Sequence, residues 1–131
     1  MKVTEQEQRV LARVIQMLGS EAPANEDLQD YIIGYGVLGK MVSTAQLDYE
    51  QKEMERKVAY ATAFKNAKLD DKASDALARE MAYLSVQENI KAEQNAKQRL
   101  SYLRSTRETV QETIWAIKYL GKQDGAIGYG T

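Results

Sequence analysis

The stretch Leu100-Ser101-Tyr102-Leu103-Arg104-Ser105-Thr106-Arg107-Glu108-Thr109-Val110-Gln111-Glu112-Thr113-Ile114-Trp115-Ala116-Ile117 decides the fold. Leu100, Leu103, Val110, Ile114 and Ile117 recur at alternating three- and four-residue spacing, with Arg107 at one of the same positions. That is the a/d pattern of a helix packed along one seam. Continued towards the N-terminus, the register picks out Ala96, Glu93, Asn89 and Val86. Polar residues in a seam cost stability and usually set register or oligomer state.

The seam sits inside a run of 81 residues, Lys40 to Leu120, that holds no glycine and no proline. These are the strongest breakers of regular structure, and the run is rich in good helix formers, so it reads as very long helix. The one lapse in the apolar pattern is Lys68-Leu69-Asp70-Asp71-Lys72, where the paired Asp residues suit the start of a second helix. The expected fold is all-α: a long antiparallel helical hairpin, coiled-coil-like, over residues 40–120. Its first arm runs from about Lys40 to Lys68, with Met54, Val58 and Ala61 on one stripe and Tyr60, Phe64 and Ala67 beside it. The second arm runs from about Ser74 to Leu120. Leu100, Leu103, Val110, Ile114, Trp115 and Ile117 are the expected core or subunit-packing residues. A narrow seam leaves a second face uncovered, so a homo-oligomer is expected.

Outside the hairpin, residues 1–18 read as a short N-terminal helix. Thr4 and Glu7 match a capping box, and Val10, Leu11, Val14, Ile15 and Leu18 share a face before Gly19. Residues 19–39 read as a loop, a helix cap at Asn25 and a glycine-interrupted apolar segment, with helix favoured for Tyr31–Gly39. Four glycines in residues 121–131 suggest a flexible tail. The whole is one domain at 131 residues.

Composition narrows the chemistry. Lys and Arg number 18 against 19 Asp and Glu, so no overall basic field draws the chain to nucleic acid or membrane. With no cysteine and no histidine, disulfides, thiol nucleophiles, imidazole bases and the commonest metal ligands are absent. No metal, no cofactor and no enzymatic activity are expected. No run approaches 18 consecutive apolar residues, and the polar N-terminus is unlike a signal peptide, so a cytoplasmic protein without a membrane segment is expected.

Gly34-Tyr35-Gly36-Val37-Leu38-Gly39 matches G-x-G-x-x-G literally. A dinucleotide fold needs those glycines between a strand and a helix within a parallel sheet, and the helical run leaves no chain for the sheet. A bend or close helix packing is the better reading. The many helix-borne carboxylates read as solvated faces balanced by Lys and Arg.

Charge distribution is the most suggestive feature. From Gln94 to Arg107 the chain carries Lys97, Arg99, Arg104 and Arg107 and no acid. Cations neutralise phosphates, amides and hydroxyls hydrogen-bond them, and Tyr102 can stack on an unpaired base. On the first arm Arg56, Lys57, Lys65 and Lys68 are further candidates. The competing reading is a solvated helix face.

The string Glu53-Met54-Glu55-Arg56-Lys57-Val58-Ala59 resembles the basic helix of phage recombination mediator proteins of the UvsY type. Ile114-Trp115-Ala116-Ile117-Lys118 is similar to a string near that family's C-terminal helix. The resemblance covers about residues 40–120 and is mostly architectural. It departs at Tyr60 and Thr62, which stand where the family has basic DNA-contacting residues, so Lys65, Lys68, Arg99 or Arg104 would do that work. The resemblance implies an oligomer in the host cytosol that organises single-stranded DNA for a recombinase and helps displace the single-strand-binding protein. The alternative is a coiled-coil assembly protein, a scaffold or virion component, with no nucleic-acid role. A weaker third reading is an adaptor docking through its acidic N-terminal helix.

Overall fold

The computed structural model describes residues 2–18 and 25–130, with side chains described for 2–18 and 26–119. Among these the chain is all-α, with no strand. Helix α1 is Glu5–Leu18; a single 3-10 turn, Asn25–Asp27, leads into α2, Leu28–Leu69; α3 is Asp75–Ser85 and α4 is Gln87–Gly130. The Gly19 stop, the 19–24 loop and the Asn25 side-chain cap fall outside the described positions.

The chain forms two compact units. One joins the chain up to Thr44 with the chain from Tyr102 onwards; the other is Ala45–Ser101. In the first, α1 begins with the expected capping box: the Thr4 hydroxyl accepts from the Glu7 N–H, and the Glu7 carboxylate accepts from the Thr4 N–H, both at 3.1 Å. Leu11 and Val14 of α1, Tyr31, Val37 and Leu38 of α2, and Leu103, Val110 and Ile117 of α4 are buried. The glycine motif is helical throughout and serves close packing. A Cβ on Gly34 would lie 3.1 Å from Val14 Cγ2, and one on Gly39 would lie 3.1 Å from an Arg107 nitrogen. The ion pairs Arg13–Asp30 (3.1 Å) and Lys40–Glu7 (2.8 Å) tie α1 to α2.

In the second unit α2 runs antiparallel to α4, and the core is built largely of alanine: Ala45, Ala67, Ala73, Ala78, Ala82 and Ala96, with Val86 and Leu100. Phe64 and Met81 pack on the cluster Ala67, Ala73 and Ala78. The expected turn is present. Lys72 takes φ 52°, the left-handed region, and the Ser74 hydroxyl caps α3 by accepting from the Leu77 N–H.

From Val86 through α4 the seam follows the predicted register. Val86, Ala96, Leu100, Leu103, Val110 and Ile117 are buried, and Asn89, Glu93, Arg107 and Ile114 are half-buried. Five expectations need correction. The first arm begins at Leu28, because α2 absorbs the 31–39 segment instead of following it. The second arm is two helices. At Val86 (φ −104°, ψ 15°) the ladder shifts, the Val86 N–H donating to both Ala82 and Tyr83 carbonyls while Gln87 Nε2 donates to the Tyr83 carbonyl. Met54, Val58 and Ala61 share a stripe, but it faces outward: Met54 and Val58 are 67% and 59% exposed and Ala61 is exposed, while Ala45 and Ala67 are buried and Tyr49, Arg56, Tyr60 and Phe64 are half-buried. Trp115, expected to pack in the core or between subunits, is 67% exposed and is not a core residue of the chain, and Ile15 is 41% exposed. Trp115 lies one residue past seam position Ile114, and one residue is about 100° of helix rotation. Finally, the backbone of the glycine-rich segment expected as a tail is helical to Gly130.

Candidate nucleic-acid interface

The acid-free tract of α4 divides by face. Ala96, Leu100 and Leu103 turn into the seam, and that leaves Lys97, Gln98, Arg99, Ser101, Tyr102, Arg104 and Ser105 exposed. In the Ala45–Ser101 unit, Lys97 and Arg99 stand in solvent with no ion-pair partner among the described residues. In the other unit, Tyr102 is 62% exposed and Arg104 is exposed. Arg107 does different work. Its guanidinium lies 3.9 Å above the centre of the Tyr35 ring, and its Nε donates to the Tyr35 carbonyl at 3.4 Å. A half-buried cation held over an aromatic face in this way fills its seam position and is a packing residue.

The α2 candidates are mostly engaged. Arg56 forms a two-pronged pair with Glu93 across the hairpin, and the Glu93 carboxylate beside it holds its guanidinium above the usual range. Lys57 donates to Glu53 one turn earlier at 2.9 Å, and that bond lowers the Glu53 carboxyl below its ordinary range. Lys68 meets Asp75 at 2.6 Å across the turn, which lowers Asp75 in the same way. A cation already neutralised at contact distance contributes little field to a phosphate. Lys65 is exposed.

The same unit contains a groove of about 390 Å³, lined by Tyr49, Arg56, Tyr60, Tyr83, Val86, Ile90, Glu93, Gln94 and Lys97. Tyr60 stacks on Phe64, with ring centres 6.5 Å apart, and also presents to the groove. Tyr49 and Tyr83 were not anticipated as site residues. Tyr49 and Arg56 are seven residues apart on the inner face of α2, a spacing that would have shown them to share that face.

Among the described residues no group of acidic side chains is arranged to hold a metal ion, and no helix is long and apolar enough to cross a membrane. No family model, no curated protein and no solved structure matches the chain.

Proposed function

We propose that this chain is a non-catalytic single-stranded DNA-binding protein that works as an oligomer and organises DNA for a recombinase. The observation that carries the reading is the exposed, acid-free surface of α4. Lys97 and Arg99 are solvated and unpaired, and Gln98 and Ser101 beside them can hydrogen-bond phosphate oxygens. A chain of net charge −1 builds no basic field alone. Repeated around an oligomer, the tract would line up many cations for one strand. The likeness to the UvsY-type mediators supplies the setting, in which a recombinase and the single-strand-binding protein are the other partners. No bond is made or broken; the work is electrostatic tracking of the backbone.

The test is fluorescence anisotropy of labelled oligo-dT across a salt series. Affinity should fall with a log–log slope of about −0.7 per phosphate contacted. The double variant Lys97→Ala with Arg99→Ala should bind more weakly and with a flatter slope while keeping its helical circular dichroism. Absence of binding by the parent protein at about 50 mM salt, where such contacts are strong, would sink the reading.

A second reading, a coiled-coil assembly protein with no DNA role, is favoured by the outer face of α2. Leu47, Met54 and Val58 are largely exposed there at seven- and four-residue spacing, a second apolar stripe suited to another copy of the chain. Mass measurement with and without an oligonucleotide separates the two: an oligomer of unchanged mass in the presence of DNA supports assembly alone.

A further inference from the structure

We propose that the groove between Tyr49 and Tyr60 of α2 and Tyr83 of α3 receives one unstacked base of a single-stranded nucleic acid. This inference rests on the DNA-binding reading and assigns it a specific pocket. At about 390 Å³ the groove is within the roughly 300–1,000 Å³ range of small-molecule sites, which suits a single nucleotide. Its chemistry is that of base capture. Three tyrosines supply faces for stacking, Val86 and Ile90 supply apolar lining, and the Gln94 amide offers both a donor and an acceptor to a base edge. Tyr83 is 55% exposed, an aromatic ring kept at the surface where a ligand can reach it.

Charge selects the occupant. Gln94 and Lys97 belong both to the groove and to the acid-free tract of α4, so the groove opens beside the exposed cation Lys97. Glu93 is the acid in the lining, and Arg56 neutralises it. A nucleotide uses the aromatic lining and the cation together, the base among the rings and its phosphate against Lys97. An apolar side chain from a second copy would leave Lys97 unused.

The experiment compares oligo-dT with an abasic strand of equal length, binding each to the parent protein and to Tyr83→Ala, Tyr83→Phe and Tyr49→Ala. The parent should bind the abasic strand more weakly. Tyr83→Ala should lose roughly fivefold to a hundredfold in affinity for oligo-dT and lose nothing for the abasic strand. Tyr83→Phe should bind as the parent does, because it keeps the ring. If the parent binds oligo-dT and both alanine variants bind it equally well, the groove assignment is overturned and the DNA-binding reading stands. Equal weakening of Tyr83→Ala on both strands also overturns the assignment, since the loss would not be one of stacking. If the parent binds neither strand, both readings fall.

Discussion

Gly34 and Gly36 stand two residues apart in α2, and opposite outcomes are expected of them. Nothing lies within 4 Å of a Cβ added at Gly36, whereas at Gly34 all three nearest atoms belong to Val14, at 3.1 to 3.3 Å. Val14 is fully buried and β-branched, so it cannot easily swing aside. Replacing a helical glycine with alanine gains about 0.5–1 kcal/mol when space permits. Gly36→Ala should therefore raise the urea midpoint, and Gly34→Ala should fail to raise it or should lower it. An increase of equal size in both would show that α1 does not press on α2 at this point. Arg107 makes a related case: a cation in an apolar seam is tolerated because the Tyr35 ring and carbonyl meet it, and Gly39 leaves its guanidinium room.

At the scale of elements, Ser74 is the joint on which α3 depends. It accepts from the Leu77 N–H at 3.3 Å, and the turn before it already holds Lys72 in the left-handed region. Ser74→Ala should cost about 1 kcal/mol in denaturant melts, the usual loss for a helix N-cap. Ser74→Asp should retain most of the stability; a loss equal to that of alanine would show that the cap contributes nothing. The sequence made the α4 seam legible because large apolar residues mark it at heptad spacing from Leu100 to Ile117. On α2 the apolar stripe of Met54 and Val58 faces outward, and the buried positions are held by Ala45 and Ala67, whose small side chains give little hydropathy contrast to mark them. The break at Val86 left no glycine or proline to signal it. It arises from a shift in hydrogen bonding that a single buried valine and the Gln87 amide sustain. Of the site, the exposed cations of α4 were legible as an acid-free run. The engagement of Arg56 by Glu93 was not, because the partners are 37 residues apart.

Across the whole molecule, near-neutral net charge hides several local pairs that respond to acid. Lys40 and Thr4 lower the Glu7 carboxyl from its ordinary 4.5, Lys57 lowers Glu53, and Lys68 lowers Asp75 from 3.8. A carboxyl lowered in the folded state adds stability above its unfolded value and loses it as pH falls through the folded one. The Tm should thus hold level above about pH 5 and decline below about pH 4. The Lys57–Glu53 and Lys68–Asp75 pairs are largely exposed and the Lys40–Glu7 pair is half-buried, so each contributes modestly and added salt should shrink the acid-sensitive part. Glu7→Gln should flatten the decline; a curve unchanged by that substitution and by salt would remove these pairs as its cause.

The interruption at Val86 also bears on how the molecule opens. It leaves α3 as an 11-residue helix between a turn and a break, shorter than the length at which a helix holds together unaided. Stability within a fold is spent unevenly, and segments bounded in this way exchange their amide hydrogens through local unfolding well before the global transition. Amides of α3 should lose protection ahead of the 90–117 stretch of α4, and Tyr83 would leave its place each time α3 opens.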